Sequence, residues 1–154
     1  MFYSRSKIYS ERALEASADK FNHLILRIRI PLDNRPHPKN LLDKLIQYKK
    51  VLSSPNSVTY MPDFIKALKH LINIDAKGIF NVVNKGGLVY AELLKEYKRY
   101  VPDFEYKIVK PKDLGLVRTK LILSTKKLED SGFKVRPVKD ILAECVINYL
   151  QCKQ

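Results

Sequence analysis

Apolar residues recur along this chain in two rhythms, one of helical and one of extended spacing, and the rhythms alternate. Tyr3 to Asp19 contains neither Gly nor Pro and includes the good helix formers Glu11, Ala13, Leu14, Glu15 and Ala16, which predicts a first helix. From His23 to Pro31 the period changes to two. Leu24, Leu26, Ile28 and Ile30 alternate with Ile25, Arg27 and Arg29, as a strand with one apolar face requires, and Pro31 is expected to end it. The turn-rich run Asp33-Asn34-Arg35-Pro36-His37-Pro38 blocks regular hydrogen bonding, so the next helix is expected near Lys39, with Leu41, Leu42, Leu45, Ile46 and Tyr48 on its apolar side.

The alternation continues beyond the break at Ser53-Ser54-Pro55-Asn56. Ser57 to Tyr60 predicts a short strand, and Pro62 suits the first turn of a helix reaching about Ile74, with Phe64, Ile65, Leu68, Leu71 and Ile72 as its buried stripe. Gly78 to Val83 is β-rich, Lys85-Gly86-Gly87 turns the chain, and Tyr90, Leu93, Leu94, Tyr97 and Val101 repeat at helical spacing up to Pro102. Phe104 to Val109 and Leu121 to Leu123 are further strand candidates. Ser124 is placed to cap a short helix closed by Gly132, and Pro137 to open a last helix whose stripe is Val138, Ile141, Leu142, Cys145 and Tyr149.

This order predicts an α/β fold with helices packed on a mostly parallel sheet. No internal repeat or linker divides it, and 154 residues suit one domain spanning 1–154. No apolar run approaches the ~18 residues of a membrane-spanning helix, and Met1 to Arg12 lacks the apolar core of a secretory signal. Cys145 and Cys152 form neither a disulfide framework nor a CxxC metal signature, and His23, His37 and His70 lie in different elements without ligand spacing. A soluble protein of the reducing cytoplasm, without membrane or metal, is therefore expected.

Charge narrows the partners. Twenty-nine basic against 16 acidic residues leave +13, which favours an anion such as nucleic acid or a phosphorylated metabolite. The basic residues are dispersed, with only pairs such as Lys49-Lys50 and Lys126-Lys127, so nothing resembles an arm that tracks a phosphate backbone, and nucleic acid is the less favoured choice. There is no GxGxxG turn to bring backbone amides against a pyrophosphate, no P-loop, and no GxSxG to support a hydrolase.

The sharpest chemical feature is Tyr3-Ser4-Arg5-Ser6-Lys7. A Tyr and a Lys four residues apart on a helix share a face, where an ammonium favours the phenolate and fits a phenol for proton transfer. With 9 tyrosines and 21 lysines in the chain, about one such spacing arises by chance. Tyr106 and Lys110 are a second match, but they lie in an extended stretch before Pro111, where they would not stack.

The Tyr-Ser-x-Ser-Lys helix followed by Leu26-Arg27-Ile28-Arg29-Ile30-Pro31 resembles the catalytic helix and next strand of extended short-chain dehydrogenases/reductases. Within them the chain looks most like the dTDP-4-dehydrorhamnose reductases and the related 3,5-epimerase/4-reductases acting on UDP-linked 4-keto-6-deoxyglucose. The likeness continues through Asn40, Pro55-Asn56-Ser57-Val58-Thr59, Gly78-Ile79-Phe80-Asn81-Val82-Val83-Asn84 and Arg118 with Ser124-Thr125-Lys126-Lys127-Leu128. The resemblance implies that Tyr3 gives the proton to the oxygen formed when hydride reaches the sugar C4 ketone. Lys7 would hold the ribose of NADPH or NADH and tune Tyr3. Pro31 would flank the nicotinamide, and Asn40 and Arg118 would contact the nucleotide-diphosphate sugar. Each has a plainer reading: Pro31 as a strand end, Asn40 as a helix cap, Arg118 as an exposed cation.

Family members carry a dinucleotide-binding half, with its Gly-rich loop, before the tyrosine, whereas two residues precede Tyr3 here. The chain thus resembles the C-terminal portion of a Rossmann-like fold without that N-terminal half. No independent reductase activity and no cofactor binding by the chain alone are expected. Where relatives often have Asn two residues after the arginine matched by Arg118, this chain has Lys120. Uncovered apolar faces on the first helix and strand predict association, with a separately encoded N-terminal half or with further copies of the chain. The alternative is a non-catalytic module of the same scaffold that binds a sugar nucleotide or another protein.

Overall fold

Residues 2–48, 50–110 and 120–153 are described by a computed structural model. Helix α1 (Phe2–Glu15) opens the chain, followed by β1 (Leu24–Arg27), β2 (Pro31–Leu32), α2 (Leu41–Gln47), β3 (Lys50–Leu52) and β4 (Thr59–Tyr60). Then come α3 (Met61–Asn73), β5 (Gly78–Asn81), α4 (Tyr90–Tyr100), β6 (Lys107–Val109), α5 (Lys126–Asp130) and α6 (Val138–Gln151). Every strand pair is parallel, as the alternation of helix and strand requires. The strands form three separate pairs rather than one sheet: β1 with β5, β2 with β4, and β3 with β6.

The strand expected over 23–31 divides in two. Pairing with β5 stops at Arg27, Ile30 takes a positive φ of 35°, and the chain then re-enters a different pair. Pro31 does not end a strand; it starts β2, beside Thr59, a first position where a missing N–H costs nothing to the ladder. Thr59 stitches the break. Its Oγ1 accepts from Arg29 N (3.0 Å) and donates to the Val82 carbonyl (2.7 Å), while its own N–H donates to Ile30 O (3.2 Å).

The core has two parts. The larger gathers Leu32, Leu42, Val58, Tyr60, Leu93 and Leu94 with the buried face of α6, where Val138, Ile141, Leu142, Cys145 and Tyr149 lie as the sequence predicts. The smaller packs Ala67 and Leu71 of α3 on Phe80, Val82, Leu128 and Val135. The α3 stripe is turned from its expected position: Ala67 joins Leu71 in the core, with Phe64 packed against it, whereas Ile65 and Ile72 are exposed. Leu121 to Leu123 forms no strand. Leu121 makes an isolated bridge to Asn56, and the Ser57 hydroxyl accepts from Leu123 N, so a side chain takes the place of a ladder. Thr125 holds the N-cap position of α5 without a capping bond from its side chain, the neighbouring Ser124 Oγ accepts at 3.3 Å from Lys126 N, and Gly132 follows the helix end at φ 90°.

Candidate active site

α1 forms from residues of ordinary helix propensity, and two of its serines turn back on the helix. Ser6 Oγ donates to Tyr3 O and Ser10 Oγ to Ser6 O, as Ser17 Oγ beyond the last turn does to Ala13 O. The i, i+4 spacing brings Tyr3 and Lys7 to one face, with the Lys7 ammonium 5.5 Å from the centre of the Tyr3 ring. Both side chains are open to solvent, Tyr3 at 73%. No residue of α1 is buried, and Phe2, Ile8, Tyr9 and Leu14 expose apolar surface along it. Among the described residues its side-chain hydrogen bonds to another element come from Arg27 at the end of β1 to Glu11, whose carboxyl is held below the usual carboxylate range by that guanidinium, and Glu15 adds to the charge around Arg27.

Pro31 and Asn40 meet elsewhere. They line a hollow of about 270 Å³ together with Asp33, His37, Lys39 and Met61. Asn40 sits at the N-cap position of α2 but does not cap it through its side chain. Its Nδ2 donates to Asp33 O and Arg35 O, both at 3.0 Å, and its Oδ1 accepts from Asp33 N at 3.1 Å. These bonds hold the 33–35 loop that shapes one wall of the hollow. His37 N–H is fixed by Asp43, which also accepts from Tyr149, so the α6 core reaches this wall. Arg118 lies outside the described residues; Lys120, two positions on, is exposed. The second Tyr/Lys pair is extended, as expected: Tyr106 precedes β6, and its hydroxyl donates to Ala91 O.

One cluster had no sequence signal. Arg136, before α6, donates to both oxygens of Asp63 in the first turn of α3 and to Glu144 on α6, at distances from 2.6 Å. Tyr60 donates to Glu144, and Asn84 bridges Asp63 and the Tyr60 N–H. Hydrogen bonds to Asp63 and then Glu144 push the Arg136 guanidinium up, the same bond draws Glu144 down, and burial pushes the Tyr60 phenol up. The partners are 73 and 8 residues from Arg136, so no local pattern could reveal them. Two further polar atoms, Arg29 Nε and Asn56 Oδ1, are buried without a hydrogen-bond partner. Arg29 adjoins the kink before Pro31, where period-two reading placed it on the polar face.

Sequence comparison places this geometry. The chain is 32% identical over 107 residues to a trifunctional UDP-glucose 4,6-dehydratase/UDP-4-keto-6-deoxy-D-glucose 3,5-epimerase/UDP-4-keto-L-rhamnose-reductase of Arabidopsis thaliana, covering 68% of this chain and 16% of that protein. Its homologues are rhamnose-forming reductases and extended short-chain dehydrogenase/reductase epimerases. A bifunctional dTDP-4-dehydrorhamnose 3,5-epimerase/dTDP-4-dehydrorhamnose reductase of the same plant is 31% identical over 108 residues, 69% of this chain and 35% of that protein. The crystal structure of the L780 UDP-rhamnose synthase from Acanthamoeba polyphaga mimivirus superposes with a TM-score of 0.72 at 24% identity, covering 81% of this chain and 45% of that one. The fold is the Rossmann-like α/β fold of short-chain dehydrogenase/reductase epimerases and reductases, of which this chain spans about half. Structures of the same fold contain NADP, NADPH or NAD. No family model matches the chain. Among the described residues no helix is long and apolar enough to cross a membrane, and no group of three or more His, Cys, Asp or Glu could hold a metal.

Tyr3 and Lys7 present a phenol and an ammonium on one helix face, and the exposed Pro31 ring lies apart from them, in the hollow beside Asn40. The sequence offers no Gly-rich turn for the pyrophosphate.

Proposed function

We propose that the chain supplies the catalytic helix and the substrate-binding part of a cytoplasmic NAD(P)H-dependent reductase acting on a 4-keto-6-deoxy sugar nucleotide, and that a dinucleotide-binding half completes it. The observation that carries this reading is the Tyr3–Lys7 pair on an exposed helix with no buried residue. NAD(P)H, when bound, supplies the hydride for the C4 carbonyl carbon. The Tyr3 hydroxyl stands to give its proton to the carbonyl oxygen, leaving an alcohol, while Lys7 steadies the phenolate left behind and donates to the ribose. Pro31 would flank the nicotinamide. Asn40 would position the sugar through the 33–35 loop it holds, and Arg118 would pair with the diphosphate through its planar donor fork.

The alternative, a non-catalytic module of the same scaffold, is favoured by the incomplete cofactor cradle. The two are separated by mixing the chain with the dinucleotide-binding half of a related dTDP-4-dehydrorhamnose reductase and following NADPH consumption on UDP- and dTDP-linked 4-keto sugars. Turnover is expected only with both parts, and Tyr3→Phe is expected to reduce it by about 10²–10⁴-fold. Equal turnover by Tyr3→Phe would contradict the assignment, and absence of turnover from a stable, NADPH-binding mixture would favour the module.

A further inference from the structure

Far along the chain from Tyr3, the start of the β3–β6 pair makes a different kind of site. β3 and β6 run parallel with Lys50 and Lys107 in direct register, so two ammonium groups stand on neighbouring strands at adjacent positions. Like charges placed this way repel and weaken the pairing of strands only three residues long. Lys98 of α4 faces the same opening, a hollow of about 540 Å³ that Glu105 and Tyr106 also line among the described residues. None of these three lysines forms an ion pair or hydrogen bond among the described residues, not even with Glu105. The Tyr106 ring is fixed by its hydroxyl bond to Ala91 O and by stacking on Phe104, with centroids 5.9 Å apart and planes 26° from parallel. Burial pushes its phenol up, so it remains neutral beside the lysines.

Three lysines against one glutamate around a ligand-sized opening with a rigid aromatic wall leave a net positive site that calls for a multiply charged anion, with the wall open to a flat ring attached to it. We propose that this hollow binds a di- or triphosphate group, carried by a nucleoside or free as inorganic polyphosphate. Lys50, Lys98 and Lys107 would surround the phosphates, and Tyr106 would form the wall against a base. This goes beyond the reductase reading and does not depend on it, because no residue of α1, β2 or α2 takes part.

The test is calorimetric titration of the whole chain with ATP, UDP, inorganic tripolyphosphate and uncharged adenosine. The phosphorylated compounds are expected to bind and adenosine is not. Nucleotides binding about tenfold more tightly than tripolyphosphate would identify a nucleotide ligand; equal binding would identify polyphosphate alone. The Lys50→Gln/Lys107→Gln variant should weaken binding by about tenfold or more. The charge-matched Lys20→Gln/Lys139→Gln control, with both changes at exposed positions away from the hollow, should leave it unchanged, as should Tyr3→Phe. Circular dichroism of each variant verifies folding, and Lys98→Gln provides a second probe on a different element. Binding lost equally in the control, retained in the Lys50/Lys107 variant, or absent for every phosphorylated compound would overturn the proposal.

Discussion

Helices α1 and α6 are both 14 residues long, yet they are held by different forces. α6 buries Val138, Ile141, Leu142, Cys145, Val146 and Tyr149, and its N-terminal end is locked to α3 through Arg136, Asp63 and Glu144. α1 buries nothing and is tied to β1 by one solvent-exposed ion pair, a contact worth about 0–1 kcal/mol. Most helical stability in proteins comes from packing an apolar face, so α6 is secured by the fold whereas α1 depends on its own propensity. Phe2, Ile8, Tyr9 and Leu14 give α1 the apolar material for packing, but the described residues supply nothing to pack against it. The side that carries Tyr3, the proposed proton donor, is therefore the side without packing among the described residues, as the proposed docking of a cofactor-binding half requires.

Matched truncations should expose this difference. Ile141→Ala, at a fully buried position, should cost about 2–5 kcal/mol in denaturant unfolding. Arg136→Ala should cost about 1–3 kcal/mol by removing the cation that Asp63 and the more exposed Glu144 share. If it did not, the α3–α6 lock would be an exposed ion pair of little weight.

The pH dependence follows the same cluster and the core beside it. Glu144 is held below its ordinary value of 4.5, chiefly by the Arg136 hydrogen bond, so the stability it contributes is present above that value and is lost as the pH falls through its lowered pKa. Burial pushes the Cys145 thiol up to about 12 from 9.0. Its contribution is complete below pH 9 and is lost between about 9 and 12, as the unfolded thiol ionises first. Melting midpoints should fall at both ends of the range, and Arg136→Ala should blunt the acid limb. The smallest effect belongs to α1: Leu14→Ala should change stability by no more than about 0.5 kcal/mol.

Periodicity reveals α6 and most of its buried face, because Val138, Ile141, Leu142, Cys145 and Tyr149 meet one core, with Val146 added by the structure. It reveals α3 only as a helix: Ala67 is too small to dominate a hydrophobic pattern, so Ile65 and Ile72 stood in for it. The strand at 23–31 was legible in position but not in its division, since alternation is blind to the positive φ at Ile30 that moves the chain from β5 to β4. β3 escaped notice because three residues after a helix leave too little pattern to register. At the candidate site the Tyr3–Lys7 pair was readable because its partners are one helical turn apart. The Pro31–Asn40 hollow and the Arg136 cluster join residues distant in sequence, which no local spacing encodes.

Amide hydrogen exchange, read helix by helix, tests the central claim most directly. In the chain alone, α6 should exchange only by global unfolding, whereas α1 should exchange with almost no protection. On adding the dinucleotide-binding half of a related reductase, protection should rise over Phe2–Glu15 and remain unchanged over Val138–Gln151. Protection of α1 equal to that of α6 before any addition would mean that the helix is already secured within this chain, and would contradict the assignment of Tyr3 and Lys7 to an unfinished catalytic face.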